Sequence, residues 1–297
     1  ATPTPTPHPT PTPTPPPAGP GPTLAGCPVF PADNVWNRPI SSLPVRADSS
    51  TLVASIGATA HLHPDFGSYA GYGIPYNIVD ASTPRSAVAF DYADESDQVP
   101  YPIPPSPAIE AGSDHHILML DRSACRLYEL WDARTTSGGW AAGSGATWSL
   151  TSDALRPLGW TSADAAGLPI LPGLVRYDEV AAGVILHAIR FTAPRTTRAY
   201  IYPARHFASS VTDPALPPMG LRLRLRASYD ISSLPPEARV IAQAMKTYGI
   251  MLADNGSAWY FQGASDPRFD DAQLNTLKTI PGSAFEAVDT TGFVNGG

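Results

Sequence analysis

The stretch "HHILMLDRSACRLYELWDA", residues 115 to 133, constrains this chain more than any other. It reads as two strands, 115–121 and 126–132, joined by the turn "RSAC". Antiparallel pairing sets Asp121 opposite Arg126, Leu118 opposite Glu129 and His116 opposite Trp131. One face then holds His116, Leu118, Leu120, Leu127, Glu129 and Trp131, and the other His115, Ile117, Met119, Tyr128 and Leu130. Both faces are apolar in the middle, so the pair must lie inside the fold with cover on both sides.

Glu129 and His116 stand out against that background. Glu129 is flanked on its own face by Leu127 and Trp131, and His116 is its diagonal neighbour across the ladder, about 7–8 Å away. A buried carboxyl has its pKa raised by desolvation. Such a group beside an imidazole and an aromatic platform has the make-up of a general acid in a sugar cleft. The plainer alternative is a glutamate satisfied by a His or Arg from the neighbouring strand.

The rest of the chain reads as short strands separated by turn residues: "YNIVDA", "SAVAFDY", "ATWSLTS", "GVILHAIRFT", "RAYIYPA", "LRLRLRASYD" and "AWYFQG". Helical patterns are fewer. Residues 235–249 start on proline and end on glycine, residues 270–280 carry acids in the first turn, and a shorter pattern covers 48–57. The expectation is a mainly β fold, an antiparallel β-sandwich resembling a jelly roll, with two or three peripheral helices.

Residues 1–23 are a Thr/Pro-rich linker, whose composition favours an extended, solvated chain. The sequence turns globular at Leu24, and 24–297 reads as a single β-rich domain. Linkers of this kind commonly tether a catalytic domain to a carbohydrate-binding module, so a module N-terminal to the linker is an expected partner. The net charge of -7 with 15% charged residues argues against nucleic acid. No apolar run approaches the ~20 residues that span a bilayer. The chain opens inside its linker, and the expectation is a processed or trimmed secreted protein. Secretion in turn favours a Cys27–Cys125 disulfide over two buried thiols.

Further candidates are weaker. "DYADESDQ" supplies Asp94 and Glu95, and "HLHPDFG" supplies His63 and Asp65, any of whose carboxylates is a possible partner for Glu129. His187 lies in the apolar run "GVILHAIRFT" and is a further catalytic candidate. Trp131, Trp36 and Trp140 are candidate sugar platforms. Arg222 and Arg224, on one side of the alternating "LRLRLRA", either line a groove for acidic sugars or form a plain exposed face. His63, His116, His187 and His206 are the ligands of an alternative metal site; the primary reading needs no cofactor. HExxH, paired CxxC, phosphate-loop and GxSxG signatures are absent.

The blocks "CPVFPADNVWNRPI", "YGIPYNIVD", "FDYADESDQVPYPIP", "GWTSADAAGLPILPGLVRYDEV" and "PARHFASS" resemble a group of secreted bacterial proteins in which a similar domain follows a low-complexity linker. The resemblance implies secretion and a place among polysaccharide-acting proteins, and it carries no catalytic residue. The expected function is a glycoside hydrolase of a cell-wall polysaccharide using carboxylate acid/base chemistry. The alternatives are a non-catalytic glycan-binding module and a histidine-ligated metal enzyme.

Overall fold

The computed structural model describes residues 21–293. In chain order its strands begin with β1 (Thr23–Leu24) and β2 (Cys27–Pro28), followed by helix α1 (Ser49–Ile56). Then come β3 (His63–Asp65), β4 (Tyr76–Val79), β5 (Val88–Phe90), β6 (Ile117–Asp121), β7 (Arg126–Trp131), β8 (Arg134–Thr136), β9 (Gly139–Ala142) and β10 (Ser144–Ser149). The remainder is α2 (Tyr177–Ala181), β11 (Ile189–Ala193), β12 (Arg222–Leu225), α3 (Pro236–Thr247), β13 (Ile250–Asn255), β14 (Tyr260–Gln262), α4 (Asp271–Asn275) and β15 (Phe285–Ala287).

The hairpin forms in the expected register, with Leu118 opposite Glu129 and Asp121 opposite Arg126. It sits at the centre of a four-stranded sheet ordered β10-β7-β6-β4. Leu118, Leu120 and Leu127 enter the main core, while Ile117, Met119, Tyr128 and Leu130 enter a second, smaller one. The main core is closed by a six-stranded sheet, β15-β12-β13-β11-β14-β3, and by α3 through Ile241 and Met245. The smaller core is closed by β5 and β9 of a three-stranded sheet, through Val88, Phe90 and Trp140. The two apolar faces of one hairpin thus dictate cover on both sides.

The mainly β expectation is met, but the sheets are mixed. The pairs β11–β13, β14–β3, β4–β6 and β5–β9 are parallel. Parallel neighbours are joined by long crossovers, so local alternation in the sequence does not reveal them. Strand β13 also follows α3 with only Tyr248 and Gly249 between them. Gly249 makes that turn at φ +73, and a Cβ there would collide with the Leu223 carbonyl.

Several local expectations need correction. "GVILHAIRFT" is extended only from Ile189, so His187 precedes the strand. "RAYIYPA" contributes only an isolated bridge between Tyr200 and Met219. Residues 177–181, outside the three helical patterns of the sequence, form α2, a fourth helix. Within the segment read as linker, residues 1–20 lie outside the described residues, whereas Thr23 pairs with Pro28 and Pro22 O accepts from Val29 N.

Cys27 and Cys125 are disulfide-bonded, with Cα atoms 5.4 Å apart. The bond fastens the N-terminal arm to the turn of the central hairpin. No helix among the described residues is long and apolar enough to cross a membrane.

Candidate active site

Two cavities, of about 510 and 450 Å³, meet at Asp114, Asp254 and Asn255. Both fall in the ~300–1,000 Å³ range of small-ligand sites. The first is lined by Tyr92, Glu95, Trp131 and His206, and the second by Asp65, Tyr72, Glu110, His116, Arg190 and Tyr260.

Asp254 reaches this junction because of a bulge. On the parallel pair, Arg190 faces Met251 and Phe191 faces Leu252, but Thr192 faces Asp254. The extra residue, Ala253, inverts the alternation that follows it. Arg190, Thr192 and Asp254 therefore line one cavity. The carbonyl of Ala253 accepts from Ala166 N at 3.1 Å, which ties the 162–168 loop to the bulge.

That loop carries the fully buried Asp164. Arg190 Nε donates to Asp164 Oδ2 at 3.2 Å, and Nη2 lies 3.0 Å from Oδ1 as an ion-pair contact. Burial raises the pKa of Asp254 to about 7; the Asp164 charge pushes it further up and Arg190 draws it back. A carboxyl that holds its proton near neutrality is suited to general acid work.

A second ion pair adjoins the first. The Nδ1 of His116 faces the Glu110 carboxylate, and its Nε2–H donates to Ala163 O at 3.0 Å. Burial opposes charge on this ring, but the hydrogen bond and charge of Glu110 outweigh it, and the pKa is raised. Both ring nitrogens are committed to these partners.

That commitment bears on metal binding. Glu110, Asp114 and His116 bring ligand-type atoms within 4.8 Å of one another. The imidazole is engaged by Glu110 and by Ala163 O, so a metal here would have to displace the proton that the ring shares with Glu110. The four histidines proposed as ligands turn to separate partners. His63 Nε2 meets Tyr72 Oη at 3.0 Å, His187 is fixed between Glu179 and Ala188 O, and His206 Nδ1–H donates to Ala165 O.

Glu129 lies outside both cavities. Its carboxyl is fully buried and accepts from Ile170 N at 2.9 Å and Leu171 N at 2.8 Å. Burial raises its pKa to about 7, against the pull of those two N–H groups. The desolvation read from the hairpin is present, but the group anchors the 170–171 turn rather than facing a ligand.

The other candidates divide in the same way. Glu95 lines the first cavity and accepts from Thr161 N, and Asp65 lines the second; Asp94 is exposed and lines neither. Trp131 lines the first cavity, Trp36 borders a separate void of about 20 Å³, and Trp140 packs on the smaller core. His187 is fully buried away from the cavities. The arginine row is not an exposed face. Arg222 is 1% exposed and donates to Val35 O and Tyr248 O. Arg224 binds Glu286 and the carbonyls of Ile40, Ser41 and Leu43.

Glu110, Asp164, Arg190 and Asp254 escape the sequence reading. The rule that singles out Glu129, a charge inside an apolar run, applies equally to "HAIRFTA" and "IMLADN" and points to Arg190 and Asp254. No such signal marks Glu110 in its Pro-rich loop.

No protein-family model matches the chain, and comparison with curated proteins and with solved structures gives no significant match.

Proposed function

We propose that this protein is a secreted glycoside hydrolase acting on a cell-wall polysaccharide, with Asp254 as its general acid. One observation carries the reading: a carboxyl with its pKa raised to about 7 lies at the junction of two cavities that also hold Asp65, Asp114 and aromatic side chains. Protonated Asp254 donates to the glycosidic oxygen, and Asp65 or Asp114 supplies the second carboxylate as base or nucleophile. Trp131 and Tyr92 offer ring faces for stacking. The disulfide agrees with an oxidising compartment, and a carbohydrate-binding module N-terminal to the linker would deliver the domain to its substrate.

The test is a panel of wall polysaccharides with product analysis, run on the wild type and on Asp254→Asn, Asp65→Asn and Asp114→Asn. The Asp254→Asn variant should keep its melting temperature within a few degrees and lose at least ~10²-fold in turnover. Full activity in folded Asp254→Asn removes this residue as the acid. Binding without any product from the wild type favours the glycan-binding alternative, which the exposed rings of Tyr92 and Tyr72 also support.

A further inference from the structure

The cavity pair continues into a third hollow. Tyr72 lines both the second cavity and a pocket formed by Tyr69, Phe66, Asp271 and Lys278. Aromatic rings therefore stand at both ends of the acidic junction. At one end Tyr92 and Trp131 lie 6.2 Å apart. At the other are Tyr69, 74% exposed, and Tyr72, 38% exposed, beside the His63–Tyr260 stack at 4.0 Å.

Charge is distributed unevenly along this path. Among the described residues, Asp65, Asp114 and Asp254 make no ion pair, whereas Arg190 is held by Asp164 and His116 by Glu110. Around the junction stand the carboxylates of Asp65 and Asp114 beside Asp254, which holds its proton near neutrality, with no unpaired cation among them; Lys278 lies only in the third hollow, so a sugar carboxylate meets repulsion at the junction. Gln262, 7% exposed, lines the same cavity, and its Oε1 makes no hydrogen bond within the protein. Acceptors in excess of donors suit a ligand rich in hydroxyl groups.

From this we infer that the three hollows are one open-ended groove, which seats an internal stretch of a non-acidic polysaccharide across Asp254. The inference rests on the hydrolase reading for its chemistry: cleavage then occurs within the chain rather than at its end. Water is the co-reactant; the glycosidic C–O bond breaks, the leaving oxygen takes the Asp254 proton, the anomeric carbon finally bears the hydroxyl from water, and the other water proton restores the acid form of Asp254.

Binding and product pattern test the two layers separately. Cello-, xylo- and chitohexaose, their disaccharides and hexagalacturonate are titrated against Asp254→Asn by calorimetry. At least one neutral hexaose should bind about tenfold or more tightly than its disaccharide, and hexagalacturonate at least tenfold more weakly. Tyr69→Ala and Trp131→Ala, at opposite ends, should each weaken the hexaose about 2- to 10-fold. Tyr69 is so exposed that its replacement leaves the fold intact. On the matching polymer, the wild type should lower viscosity before reducing ends accumulate.

Several outcomes overturn the groove: no hexaose binding, a disaccharide binding as tightly as its hexaose, indifference to Tyr69→Ala, or preference for hexagalacturonate. Release of only mono- or disaccharides from chain ends refutes the groove and leaves the hydrolase standing. Length-dependent binding with no product from the wild type does the reverse.

Discussion

Asp254 stands beside Thr192, and so on the face of Arg190, because Ala253 is an extra residue in its strand. In an unbulged ladder Thr192 would face Ala253, and the carboxyl would point to the opposite side of the sheet. The bulge brings this acid within the field of the Asp164–Arg190 pair, and each charge there has a defined sign of influence on it.

Removing the Asp164 charge should lower the pKa of Asp254. In Asp164→Asn the anion that pushes the Asp254 proton affinity upward is gone, while Arg190 keeps its positive charge. The basic limb of the pH–activity profile should move to lower pH, and the Asp254 carboxyl resonance should titrate below its wild-type midpoint. An unmoved midpoint in folded protein would exclude the coupling. Breaking a buried pair also costs stability, about 3–5 kcal/mol, so melting is recorded alongside.

Glu129 should reveal itself through stability rather than turnover. Its pKa is raised in the fold to about 7, so the native state holds this proton where the unfolded chain has released it. Stability from this group is therefore fully present below the unfolded carboxyl pKa of ~4.3 and is lost as pH rises to about 7. Glu129→Gln lacks that titration. Its melting temperature relative to wild type should improve between pH 4 and pH 8, with turnover within a few-fold of wild type. A melting difference independent of pH would contradict the assignment, and a ~10²-fold loss of turnover without destabilisation would return Glu129 to the catalytic role.

The disulfide should be a principal source of stability. Cys27 and Cys125 are separated by 98 residues. For a loop of that length the chain-entropy model gives about 4–5 kcal/mol. Cys27→Ser/Cys125→Ser should show that loss in denaturant unfolding, and the mass of unreduced wild type should lie two hydrogens below the thiol form. Two alkylatable thiols in protein kept under oxidising conditions would rule the bond out.

The Thr-Pro segment should contribute nothing to the domain's stability. Deleting residues 1–20 spares Pro22 and Thr23, which bond to the arm around Cys27. The melting temperature should stay within about a degree, because such a segment buries little apolar surface. A drop of several degrees would show that it packs on the domain.

The sequence carries the hairpin almost completely, since side-chain parity and a four-residue turn leave one register that keeps Leu118, Leu120 and Leu127 together. It also shows that Glu129 is desolvated. Function does not follow from that desolvation, because what an acid faces depends on the loop laid over it, here 170–171, which is 41 residues away in sequence. The acid at the cavity junction is hidden for a different reason. Its strand is parallel to a partner some 60 residues earlier, and the bulge breaks the only periodicity that could have given its orientation.

The cystine also has a mechanical consequence. A pull on the Thr-Pro segment, as when one end of the protein is held to a solid and the other is swept by flow, reaches the fold first at β1 and β2, which are two residues long each and readily peeled. Beyond Cys27 the covalent bond diverts tension into the Cys125 turn, between the two middle strands of the four-stranded sheet. Beyond that point the arm cannot unravel from its end without breaking the sulfur–sulfur bond.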